Sequence, residues 1–94
     1  MAYRFEWDPA KAASNLLKHG VSFEEAITAF GDPLSLLWPD PSHSLREARY
    51  LVMGVSDAQR LLVVAFADRE PQTRIISARL ATRSERRRYE EAES

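Results

Sequence analysis

A helix stop and a helix start stand two residues apart in this chain, at Gly20 and Ser22, and they constrain its fold more than any other feature. In FEWDPAKAASNLLKHGVSFEEA, residues 5–26, Asp8 is an N-cap residue and Pro9 follows at the first helical position, where a missing amide costs nothing. Gly20 suits the left-handed C′ position that closes such a helix. Ser22 and Glu25 then make a capping box, with Val21 placed to staple against Ala26. So short a connector permits only a helical hairpin. On a wheel of 100° per residue, Ala10, Ala13, Leu16 and Leu17 form the apolar stripe of the first helix, opposite Lys11, Ser14, Asn15 and Lys18. His19 falls at the edge of the polar side, in the last turn. The second helix runs to Phe30, with Phe23, Ala26, Ile27 and Phe30 facing the core, until Gly31, Asp32 and Pro33 stop it.

The remaining pattern has period two. YRFEW, residues 3–7, alternates as a short strand. LSLLWPD, residues 34–40, ends in Pro39 and Pro41 and reads as an edge strand, followed by an exposed loop over 42–47 that holds His43. Runs at 48–55, 60–68 and 73–80 are separated by SDAQ and REPQ, which predicts an antiparallel meander. Alternation sets Arg49 beside Leu51 and Met53, and Arg79 beside Ser77 and Ile75. Thr82 with Glu85 forms a second capping box and opens a last helix. Its Arg83, Arg86, Arg87, Arg88 and Tyr89 leave no continuous apolar stripe. The order β-α-α-β-β-β-β-α predicts an α+β fold, an antiparallel sheet of four to five strands packed with the helices as a second layer.

Composition narrows the chemistry. The 94 residues suit one domain, 1–94, with a modest core, so any reaction belongs on a concave surface. There is no cysteine, and the two histidines lie far apart, which argues against thiolate chemistry, a histidine metal site or a cofactor requirement. No segment has the length of a membrane span and the N-terminus lacks a signal-peptide core, so the expected location is the cytoplasm. Net charge is −1 but unevenly spread: residues 69–88 hold seven arginines against Glu70 and Glu85. Such segregation suits either a surface that meets a polyanion or a solvated helix face.

In their order, the elements F-E-W-D-P-A-K, N-L-x-K-H-G-V-S-F-E-E-A, the D-P pair at 32–33, D-P-S-H-S at 40–44, R-Y at 49–50, R-L-L-V-V at 60–64 and the ending R-I-I-S-A-R…A-T-R-x-E-R…Y-E resemble the BrnT family of bacterial toxins. The resemblance spans Phe5 to Glu91. It implies a RelE-like fold and a ribonuclease that slows translation, neutralised by a BrnA-type antitoxin of ribbon-helix-helix type. It also implies a two-plus-two heterotetramer that meets operator DNA only through the antitoxin. One departure is Leu80, where many members carry Lys or Arg; Arg83 is the neighbouring cation.

Metal-free RNA cleavage needs the 2′-hydroxyl to lose a proton as it attacks the adjacent phosphorus, while charge builds on the phosphate oxygens. Arginine suits the second task, because its planar fork stays charged and donates parallel bonds to phosphate. Arg49 and Arg79 are the first candidates for phosphate stabilisation, followed by Arg83. Each also fits a rim ion pair with Glu6, Glu24 or Glu47. His19 is the candidate proton shuttle, although a histidine in a last helical turn also suits the helix dipole. Lys18 is a candidate for RNA binding, and Tyr89 for base stacking or for packing the last helix down. Trp7 and Trp38 read as core or interface residues. The competing expectation is a noncatalytic module that binds protein or nucleic acid.

Overall fold

The helical hairpin forms where its caps place it. Helix α1 spans Pro9–His19; Asp8 accepts the Ala10 N–H at 2.8 Å, and Gly20, at φ 69°, returns its N–H to the Leu16 carbonyl at 2.9 Å. Helix α2, Phe23–Thr28, starts on the Ser22 hydroxyl, which accepts the Glu25 N–H at 3.0 Å, and continues as a 3₁₀ turn over Ala29–Gly31. Its capping box is one-sided. The Glu25 carboxylate turns away to the Arg60 guanidinium and the Ser56 hydroxyl, the latter at 2.7 Å. Arg60 also donates to the Gly20 carbonyl at 3.0 Å, which ties a strand start to the helical connector.

A computed structural model describes residues 4–40 and 47–93. Tyr3, His43 and the expected loop, apart from Glu47, lie outside the described residues. Strands β1 (Phe5–Glu6), β2 (Leu36–Pro39), β3 (Arg49–Val55), β4 (Leu61–Arg69) and β5 (Gln72–Leu80) form one sheet in the order β1-β5-β4-β3-β2. The α+β order is the expected one, and β2 is an edge strand. The sheet is mixed, however: β2 to β5 are antiparallel, while β1 joins β5 in parallel through Phe5 against Thr73 and Glu6 against Arg74.

Burial follows the two faces. Val52, Leu62, Val64, Phe66, Ile75 and Ala78 point to one side and pack with Val21, Phe23, Ala26 and Ala29 of the hairpin region. Trp7 closes this core edge-on against Phe23, with ring centroids 5.9 Å apart. On the other side Met53, Leu61 and Val63 pack with Tyr89 of helix α3, Arg83–Glu93. Helices therefore cover both faces, where the sequence suggested one helical layer. A single aromatic suffices to seat α3, because the Tyr89 hydroxyl also donates to the Asp32 carboxylate.

The expected inner stripe of α1 is corrected. Ala10 and Ala13 are exposed, and Leu16 and Leu17 are 51% and 90% exposed. Asn15 is buried instead, with Ala12 and His19 beside it on the half-buried side. The Asn15 amide donates to the carbonyls of Val21 and Ala78, both at 2.9 Å, and accepts the Ala78 N–H at 3.1 Å. A polar side chain wins the inner position because it satisfies three backbone groups that burial would otherwise leave unpaired.

Candidate nucleic-acid interface

Pairing across the sheet decides which charged side chains share a surface. Arg49 of β3 pairs with Ala67 of β4, Ala67 with Arg74 of β5, and Arg74 with Glu6 of β1, so these four stand in a row on the face that α3 partly covers. The next row on that face is Leu51, Ala65 and Ser77, and the next Met53, Val63 and Arg79. Arg49 and Arg79 thus share a face. Between them lie small side chains: Ala65 and Ser77 are half-buried, and Ala67 is fully covered by its neighbours. Strand spacing and rise put the Cα atoms of Arg49, Arg74 and Arg79 each within about 10 Å of Ala65. An arginine side chain plus one hydrogen bond spans that distance.

Each guanidinium meets a carboxylate. Arg49 lies 3.5 Å from Glu47 and Arg74 3.4 Å from Glu6, both at the long limit for a hydrogen bond. Arg69, two residues beyond Ala67, bridges the two acids, at 2.7 Å from Glu47 and 3.9 Å from Glu6. This Arg69 bond, opposed by burial and helped by Arg49, holds the Glu47 carboxyl below its ordinary range. Arg79 is held more firmly: its fork donates to both oxygens of Glu85, at 2.7 and 3.0 Å. Glu85 in turn accepts the Thr82 N–H at 2.8 Å, while Thr82 accepts the Glu85 N–H at 3.2 Å, so the second capping box is reciprocal. The Arg79 bond, against a smaller burial effect and with help from Thr82, holds the Glu85 carboxyl at about 2.

The other sequence candidates are distributed more widely. Arg83 opens α3 beside the Arg79–Glu85 pair and is exposed. Lys18 and His19 belong to α1, on the helical layer across the sheet. His19 precedes Gly20, whose carbonyl is bonded by Arg60 at the start of β4, whereas Arg49 pairs with Ala67 near its end. At ~3.4 Å per residue those ends are about 20 Å apart, so His19 and Arg49 do not meet at one phosphate. Tyr89, 7% exposed, lies in the second core, and its ring is not offered for stacking. Among the described residues no three acidic or histidine side chains gather as a metal-binding group.

Arg74 was missed by the sequence reading, as was Arg69. Arg74 and Arg79 are an odd number of residues apart, which in a regular strand sends them to opposite faces. An irregularity opposite Ala65 and Phe66 inserts one residue into β5: Ser77 pairs with Ala65 but Ile75 with Phe66. Arg74 thereby joins the face of Arg79, and Ile75, expected beside Arg79, turns into the opposite core. No local signal in RIISAR marks that insertion.

A family model described as the ribonuclease toxin BrnT of type II toxin–antitoxin systems matches residues 7–85. The chain belongs to the BrnT family. The crystal structure of the Brucella abortus ribonuclease toxin BrnT superposes with a TM-score of 0.67 at 20% identity, covering 87% of this chain and 100% of that one. That similarity establishes the shared BrnT fold. No curated protein matches the chain. Membership in the BrnT family makes it a type II toxin of ribonuclease class, with RNA as substrate and an antitoxin as partner. No helix among the described residues is long and apolar enough to cross a membrane.

Proposed function

We propose that this BrnT-family member cleaves RNA without metal on the arginine-ringed face of its sheet. The carrying observation is that Arg49, Arg74 and Arg79 stand around the small, half-buried Ala65 and Ser77 on one sheet face. A phosphate seated there meets guanidinium forks from two strands as its charge rises. Arg83 extends the basic surface at the entrance. Glu6 and Glu47, beside Arg74 and Arg49, are the carboxylates of this face placed to receive the 2′-hydroxyl proton. His19 and Lys18 are given no part at the scissile phosphate, because α1 lies across the sheet. In the cell the activity is neutralised by a BrnA-type antitoxin of ribbon-helix-helix type, in a two-plus-two assembly that carries the operator-binding surface.

The test is purified protein with an oligoribonucleotide or total RNA in EDTA. Cleavage is expected to persist, and to fall about 100-fold or more in Arg49→Ala and in Arg74→Ala, with circular dichroism unchanged. A second reading, a noncatalytic RNA-binding module, draws support from the tight pairing of Arg79 with Glu85. Intact RNA retained in a salt-sensitive manner selects that reading.

A further inference from the structure

Helix α1 shows its apolar side to solvent. Ala10, Ala13 and Leu17, spaced i, i+3 and i+7, form its outward line, with Leu17 90% exposed; Leu16, 51% exposed, borders that line on one side. Lys11 and Lys18, both exposed and seven residues apart, border it on the other. Two small side chains followed by leucines form the kind of seam into which a second amphipathic helix packs closely. The inner side of α1 is fixed by Asn15 and its three backbone bonds, with Ala12 packed against the core beside it, so the helix cannot roll to bury the leucines.

We propose that this outward seam is the anchoring site for the antitoxin, which lays an amphipathic helix with an acidic flank along α1. The choice of occupant rests on charge. The lysine border calls for carboxylates, whereas two copies of this chain paired antiparallel through α1 set lysines against lysines. Two leucines on one turn give too little apolar surface to hold the protein on a lipid bilayer. The proposal deepens the toxin reading by placing its partner. It also has a mechanical consequence: α1 lies across the sheet from the arginine face, so the anchor adds affinity while a different antitoxin segment must reach round to block RNA.

The experiment measures binding of the purified cognate antitoxin to the wild-type chain, to Leu17→Glu and to Lys11→Glu, with circular dichroism and RNA cleavage as controls. Leu17→Glu is expected to weaken antitoxin binding at least tenfold, and Lys11→Glu several-fold with reduced salt dependence. Both variants should remain folded and cleave RNA like the wild type when free. Wild-type affinity in Leu17→Glu overturns the anchoring site and leaves the toxin reading intact. Failure of the antitoxin to bind even the wild type overturns both. Two further results count against the antitoxin as occupant: a wild-type dimer in solution that Leu17→Glu dissolves, and sedimentation with anionic vesicles that it abolishes.

Discussion

At Ala78 the outer edge of β5 runs past the end of β1, and both backbone groups of that residue go to the side-chain amide of Asn15. A third bond reaches the Val21 carbonyl in the connector between α1 and α2. Removing the amide leaves buried groups without partners, each costing about 1–3 kcal/mol but not additively. Asn15→Ala should therefore lower unfolding free energy by roughly 2–4 kcal/mol in urea melts. Asn15→Asp, which keeps the acceptor and loses both donors, should recover little of it. At the same scale, Arg49, Arg74 and Arg79 each already have an acidic neighbour, so on the proposed reading RNA must displace a carboxylate to bind. Glu85→Gln is expected to tighten RNA binding several-fold while weakening the cap of α3, a combination that binding and melting measurements separate.

Elements are held to each other by contacts with little tolerance. Gly54 of β3 lies under the 3₁₀ turn, and a Cβ there would come 2.5 Å from the Ala29 carbonyl oxygen. Gly54→Ala should cost about 1–3 kcal/mol, since neither backbone can yield without disturbing the core, and a shifted denaturation midpoint reports it. Helix α3 depends on two carboxylates, Glu85 in its capping box and Asp32 beneath Tyr89. Burial opposes the charge on Asp32, but the Tyr89 hydroxyl and the N–H groups of Val55 and Leu34 outweigh it and lower its pKa. For both acids the folded value lies below the unfolded one of about 4. Their contribution is complete above that value and is lost as pH falls, for Glu85 toward about 2. Thermal melts between pH 5 and 2 should show α3 loosening in this window, and Glu85→Gln should flatten the dependence.

One sheet face carries arginines around small residues, the opposite face is covered by the helical hairpin except at a cleft lined by Phe30, Tyr50, Val52 and Phe66, and the hairpin turns an apolar seam outward. A net charge of −1 gives the chain no bulk attraction for RNA, so the proposed site must act through the local arrangement of its arginines. RNA affinity should accordingly fall with salt only as steeply as a few phosphate contacts require. Induced expression of the chain alone should arrest growth, coexpressed antitoxin should restore it, and Arg74→Ala at equal soluble level should remove the arrest.

Caps, breakers and alternation act within a few residues, which is why Asp8, Gly20, Ser22, Thr82 and the strand runs were legible along the chain and led to the right element order. The family was legible too, because the order of its motifs survives in one dimension. What the folded chain alone decided was orientation. Asn15 turned inward because three backbone groups needed an amide there, which left Leu16 and Leu17 outside. One inserted residue in β5 carried Arg74 onto the face of Arg79. Both outcomes depend on partners more than 60 residues away or on the count of residues opposite another strand, and no local pattern records such long-range hydrogen bonding.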